Sequence, residues 1–463
     1  MGERGTGRGL GAALLASSLM PLNSTMIAVA LPEIAREFSR SPGTVAQAVV
    51  ASYLVAAIVL QSPGGKLGDR LGHRRVLALG QVLVAAGAVL GMFAPALGVL
   101  ATARVLMAAG GATIVPATVA LLRIELPEHR RGRAFGLFGA VMSLAAGIGP
   151  VVGGELVRAF GWASVFAVNL PVIAVSVLLA ATAGHGEDRL ESQAGRPFDV
   201  VGSVLLAAAL TALVLGLESA GATGAVLLVT SAVLVVPFVW WERRAADPVV
   251  TFALFTSVSF TAGSLLVALQ NLVMYTLLFE LPQVLAAVLS TDAAATGRLL
   301  VSMMAAMIVA SFLAGRLTDR VGPRPLAVAG TLTCLAAVAV LAAGDLSSVR
   351  ELPLPLALLG LGVGLATPAA QTASLAAVPR RYSGAAAGIG STMRYLGGVV
   401  GVALLGRLVD LGGDRSAILA EHRTVLVVFA VALLGAVACA VVLPRRTASR
   451  GSARVPDDGA AAP

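Results

Sequence analysis

The chain has 463 residues, 57% of them hydrophobic and 12% charged, with a mean hydropathy of +0.91 and a formal charge of +9. Soluble domains carry about a quarter charged residues, so half that fraction points to a chain built for a bilayer. The basic excess is 32 arginines and one lysine, Lys66, scattered between apolar runs. That pattern bears on membrane topology before any nucleic-acid partner. The two cysteines, Cys334 and Cys439, both lie in apolar runs, which excludes a disulfide framework and a cysteine metal cluster.

A membrane-spanning helix needs about 20 apolar residues. Fourteen segments qualify in chain order: 10–31, 45–65, 76–97, 98–122, 134–156, 163–183, 200–218, 223–241, 256–279, 296–316, 325–343, 353–377, 384–408 and 424–443. The first run follows a basic start but is long enough to span and shows no cleavage site, so it reads as a retained helix. An even number of spans puts both termini on one side. That side receives 23 of the 33 lysines and arginines and the other side 8, so the positive-inside bias expects both termini in the cytoplasm of a plasma-membrane protein.

Between spans 2 and 3 stands "GGKLGDRLGHRR". Its residues Gly65, Leu67, Asp69, Arg70, Gly72 and Arg74 recur 250 positions later as Gly315, Leu317, Asp319, Arg320, Gly322 and Arg324 in "AGRLTDRVGPRP". Pro116, Gly132 and Gly136 likewise recur 252 positions on as Pro368, Gly384 and Gly388. Spans 1–6 and 9–14 are therefore two copies of one six-helix unit in the same orientation, a signature of major facilitator transporters. The expected organisation is an N-terminal six-helix bundle over 1–184 and a C-terminal one over 253–443. Cytoplasmic linkers and two inserted spans occupy 185–252, and a disordered tail follows over 444–463.

From Leu10 to Leu443 the chain resembles the fourteen-span drug:proton antiporter family of the major facilitator superfamily. The carrying residues are the Gly65–Arg75 loop motif, "GIGPVVGG" from Gly147 to Gly154, "FDVVGSVLLAAAL" after span 6, and "PLNSTMIAVALP" in span 1. The resemblance implies an all-α membrane protein with the major facilitator fold, two six-helix bundles and a two-helix insertion. It also implies a secondary active transporter that exports small amphipathic compounds by proton antiport, powered by the proton gradient without a bound cofactor. Its expected partners are a small molecule, protons and the lipid bilayer, with no nucleic acid, and a monomer as the working unit.

The glycines at 65, 68 and 72 suit a tight turn, and a carboxylate at Asp69 suits hydrogen bonding to a neighbouring helix N-terminus. The resemblance makes Gly65, Asp69, Arg70, Gly72 and Arg74 a conformational latch; a purely topogenic basic loop is the alternative. Gly149 and Gly153 form a small-xxx-small face, and Pro150 removes a backbone donor and is expected to bend span 5. The resemblance assigns Gly147, Gly149, Pro150, Gly153 and Gly154 to an antiporter motif.

Three ionisable residues, Arg104, Glu280 and Arg394, fall inside or at the edge of spans, where charge is costly and functional. They are the proton-coupling candidates. An apolar pocket would raise the pKa of Glu280, whereas a place at the outer interface would make it ordinary. Where the related family commonly carries an aspartate, this chain has Asn23, which cannot ionise. Asn23, Gln270, Asn271, Tyr275 and Gln371 are candidates to line a substrate pocket or to serve as interhelical glue.

Other chemistries find no support. "GGKLG" carries Leu67 where a phosphate-binding loop needs Ser or Thr, and "GIGPVVGG" lacks dinucleotide spacing and context. The four histidines, His73, His129, His185 and His422, are expected in loops or at span ends, so the chain reads as no enzyme. Uptake of a small metabolite by proton symport on the same fold is the main rival, and a lipid-handling or non-transporting membrane protein is the other.

Overall fold

The computed structural model describes residues 3–445 except 41–43, 46, 183–198, 220, 290, 292, 345, 347 and 409–413. The expected linker over 185–198 and nearly all of the tail lie outside the described residues. Among those described, fourteen long helices and no strands carry the fold. They are α1 (Glu3–Glu37), α2 (Ser52–Leu71), α3 (His73–Met92), α4 (Leu97–Glu125), α5 (Glu128–Phe160), α6 (Asn169–Thr182) and α7 (Val200–Glu218). There follow α8 (Gly221–Glu242), α9 (Val258–Leu289), α10 (Ala293–Val321), α11 (Pro323–Ala343), α12 (Pro353–Ala376), α13 (Ser383–Leu408) and α14 (Arg415–Val442).

Over the described residues, thirteen spans are long and apolar enough to cross a membrane. Helix α13 is rich in glycine and carries Arg394. Several helices overrun the hydropathy limits. Helix α9 continues past Glu280 to Leu289, and α14 begins nine residues before the expected 424, at Arg415, capped by Asp414, which accepts the Ala417 N–H at 2.8 Å. Charged residues end a hydropathy run without ending a helix when a partner awaits them.

The two halves repeat one packing scheme. In the first, α4 packs on α2 and α3, and α1 on α5 and α6; in the second, α12 packs on α10 and α11, and α9 on α13 and α14. The halves meet along two equivalent seams, α2 against α13 and α10 against α5. Glycines thin both seams. A Cβ at Gly65 would strike the Gly384 carbonyl, and one at Gly388 the Gln61 carbonyl; across the other seam Gly315 faces Gly132 and Gly136 in the same way.

The expected turn at Gly65, Gly68 and Gly72 is corrected. Helix α2 runs unbroken through Gly65 and Gly68 to Leu71, and only Gly72, at φ 92°, turns the chain, as Gly322 does at 87° in the second copy. The other two glycines are there for close approach: Gly65 to α13, and Gly68 to the His73 ring. The inserted helices α7 and α8 pair with each other. Leu210 and Val214 of α7 bury against Ile58 and Val59 of α2, with Tyr395 and Val399 of α13 alongside, so the insert covers one seam from the lipid side. Helix α8 shows Val226, Val229, Val233, Val236 and Trp240 outward, as a lipid-facing helix would.

The glycine seams make a prediction. Gly65→Ala and Gly388→Ala must push backbone apart, and overpacking of this kind costs about 1–3 kcal/mol. Each should lower the thermal unfolding midpoint of the detergent-solubilised protein. Gly154→Ala, with nothing within 4 Å of the added carbon, should leave it unchanged or raise it. Scanning fluorimetry distinguishes the outcomes.

Candidate functional site

Asp69 ends α2 and reaches across the seam. Its two carboxylate oxygens accept the N–H groups of Gly384 and Ala385, each at 2.7 Å, in the first turn of α13. Asp319 at the end of α10 does the same toward α5, accepting the N–H groups of Gly132 and Arg133 at 2.8 and 2.9 Å. The repeated glycine and the repeated aspartate are thus partners, each copy's carboxylate held by the other copy's helix. The free N–H groups and dipole near a helix start favour a carboxylate there. The two sites differ in burial: Asp69 is buried, with His73 Nε2 3.4 Å from it, and Asp319 is exposed.

The rest of the motif consolidates this face, the one where α1 begins and α14 ends. Lys66 and Arg70 both bind Asp247, in the connector that follows α8, the latter at 3.8 Å. Arg74 binds Glu125 at the end of α4, at 2.8 and 3.0 Å. Arg123, also on α4, crosses to the other half, donating to the Ser383 hydroxyl at 2.8 Å and to the Val378 carbonyl. Ser62 and Thr392 share a hydrogen bond of 3.1 Å further along the same seam.

The Gly147–Gly154 motif lies on α5, which continues through Pro150 to Phe160. Gly149 and Gly153 face Leu22–Val29 of α1 with no room for a Cβ, Gly147 abuts Met304 of α10, and Gly154 looks into open space. Pro150 is exposed.

At the centre, Arg104 of α4 is 1% exposed. It donates to the Val49 carbonyl at 2.9 Å and the Asn23 carbonyl at 3.3 Å and lies 4.1 Å over the Tyr53 ring. The Asn23 amide is spent on Asn169 of α6, at 2.7 Å, which makes it glue within the first half. Arg394 of α13 has Tyr275 and Tyr395 within electrostatic reach, and Tyr275 packs on Gly398. Gln270 turns away from the centre, to Thr331 at 3.2 Å, and Asn271 binds the Val267 carbonyl of its own helix at 2.8 Å. Gln371 lines a cavity of about 30 Å³ with Ser264, Ser374 and Ser391 where α4, α9, α12 and α13 meet.

Glu280 is enclosed by protein in the part of α9 away from the latch face. It is fully buried in α9 and its carboxylate lies 2.7 Å from Nδ1 of His422, itself buried in α14. This corrects the expectation that every histidine lies in a loop or at a span end. Glu155, by contrast, is exposed and paired with Arg158 three residues on. Sequence reading also passed over Tyr53, Asn169, Asp247 and Arg123. Tyr53 and Asn169 carried a signal, a polar residue within an apolar run, whereas nothing local marks Asp247 as the partner of Lys66.

No cluster of three or more His, Cys, Asp or Glu side chains suited to a metal ion occurs among the described residues. Comparison with known proteins agrees with the duplicated fold. The pattern of the Major Facilitator Superfamily matches residues 13–273 and again 263–462. An uncharacterized MFS-type transporter of Bacillus subtilis, YvkA, is 32% identical over 91% of this chain and 93% of its own. The multidrug efflux pump LfrA of Mycolicibacterium smegmatis is 31% identical over 96% and 90%, respectively. The tetracenomycin C resistance and export protein of Streptomyces glaucescens is 31% identical over 84% and 73%. Among solved structures, the proton:xylose symporter XylE superposes with a TM-score of 0.67 at 15% identity, covering 94% of each chain, a likeness of fold. With two matched halves, a shared seam chemistry and relatives above 30% identity along most of its length, the chain belongs to the Major Facilitator Superfamily and is a multi-pass membrane transporter.

Proposed function

We propose that this transporter exports small amphipathic organic compounds across the plasma membrane in exchange for protons, with both termini in the cytoplasm. The reciprocal carboxylate-to-helix bonds of Asp69 and Asp319 carry the reading. Both lie at the same face of the two halves, which suits a machine that opens its two faces in turn. The 23-to-8 distribution of basic residues supports a cytoplasmic latch face, so the described conformation is closed inward. Relatives named for efflux and antibiotic resistance support the outward direction. Asp69, Arg70, Arg74 and the seam glycines are then the inner gate, and Gly149 and Gly153 keep α1 and α5 moving as one body.

For the proton, Glu280 and His422 are the proposed carriers. The carboxylate and the imidazole lie within hydrogen-bond distance and are both shielded by the apolar packing around them. Arg104 and Arg394 set the field around the central site. The test of the whole reading is transport by the purified protein in vesicles under an imposed proton gradient, with internal pH recorded alongside substrate movement.

Two variants sharpen it. Asp69→Asn leaves one buried N–H facing an amide instead of a carboxylate oxygen, an imbalance of about 1–3 kcal/mol. Transport should fall about tenfold, since 1.4 kcal/mol is a factor of ten. Asp319→Asn, where water can replace the lost acceptor, should fall about two- to threefold. Membrane insertion, read by the amount of protein in the membrane fraction, should match wild type in both. Equal, small losses would reduce the motif to a topogenic signal. Glu280→Gln should abolish proton-driven accumulation while substrate binding persists; accumulation against a gradient by that variant would remove Glu280 from the proton path.

A further inference from the structure

We propose that the central site of this exporter takes organic anions, namely aromatic compounds bearing a carboxylate, sulfonate or phenolate, and that Arg394 contacts the charged group. The proposal deepens the export reading and rests on it. Three of the chain's four tyrosines, Tyr53, Tyr275 and Tyr395, gather with Arg104 and Arg394 between the halves. Arg394 is twelve residues into the 26-residue helix α13, which at about 1.5 Å per residue places it near mid-membrane.

The charge there is one-sided. Among the described residues neither arginine has a carboxylate within 4.0 Å, and Arg104 Nη2 and Arg394 Nε are buried without a hydrogen-bond partner. Among the described residues the buried acids are all committed elsewhere. Asp69 holds a helix start, Asp199 the Gly202 N–H and Trp241, and Asp247 holds Lys66. Glu242 accepts from Val250 N–H, and Glu280 holds His422. Asn23, the polar residue of α1 nearest Arg104, is neutral and already bonded to Asn169.

An unbalanced guanidinium deep in a membrane protein is expensive, and it is tolerated where a partner of opposite charge comes to it. An anionic ligand supplies that partner. The planar guanidinium pairs with carboxylate or sulfonate through two parallel hydrogen bonds, and tyrosine rings beside it suit an aromatic body. The same two positive charges would repel a lipophilic cation. The direction of transport fits as well: an inside-negative potential drives an anion outward and retains a cation, so no carboxylate is needed at Asn23 to carry the load.

The experiment uses the purified full chain in vesicles with a potassium–valinomycin potential, comparing carboxyfluorescein and 1-anilinonaphthalene-8-sulfonate with the cation ethidium. Movement of the two anions away from the negative side at several times the rate of protein-free vesicles, without ethidium movement, is the expected result. Arg394→Gln should raise the Kd for both anions at least tenfold, with Arg394→Lys recovering part of the affinity and the thermal midpoints reporting folding. Ethidium export without anion export overturns the proposal and leaves the export reading standing. Movement of none of the three probes overturns both. Unchanged anion affinity in a folded Arg394→Gln variant overturns the assignment of the contact.

Discussion

Each half of this transporter ends a helix on a carboxylate, and each carboxylate is held by the exposed N–H groups of a helix in the other half. Everything on that face follows from the crossing. The oxygens of Asp69 can reach Gly384 and Ala385 at 2.7 Å only if α2 and α13 approach backbone to backbone, hence Gly65, Gly384 and Gly388. Gly132, Gly136 and Gly315 serve Asp319 in the same way. Hydrogen bonds to a charged acceptor contribute about 1.5–3 kcal/mol each, so the four across the two seams hold this face together.

The symmetry is imperfect in a way that has physical consequences. Asp69 is buried and surrounded by His73, Arg123 on the neighbouring α4, and the Lys66–Asp247 pair, while Asp319 faces water. The first seam also carries the insert, whose helix α7 lies over α2 and α13 and whose following connector supplies Asp247 to Lys66 and Arg70. The two inserted helices are therefore outward-facing on one side and packed across the first seam on the other.

Buried charge divides the molecule by depth. Near the latch, Asp69 and Asp199 have helix starts, Asp247 has Lys66 and Glu242 has the Val250 N–H. Toward the opposite face Glu280 has His422. In the middle, Arg104 stands with a tyrosine and backbone carbonyls in place of a carboxylate, and Arg394 stands beside Tyr275 and Tyr395. Since an unpaired charge is tolerated least where water is scarcest, that stretch is where the protein departs furthest from what stability alone would select.

The sequence by itself determined the number of long helices, the duplication and which aspartates and glycines recur in it. Hydropathy depends on composition along the chain, and a 250-residue echo preserves individual letters. It also marked Arg104, Glu280 and Arg394 as charges that require an explanation. Partnership was decided only by the tertiary structure. Asp69 and Gly384 are 315 residues apart, and Glu280 and His422 are 142 apart, so no local pattern joins them. Asn23, Gln270 and Asn271 read alike as pocket candidates. Rotation about the helix axis turned them toward Asn169, Thr331 and their own backbone, and left Tyr275 at the centre. The same glycine-rich motif that reads as a turn is helical to Leu71, because its glycines answer to a helix in the other half rather than to the chain's own direction.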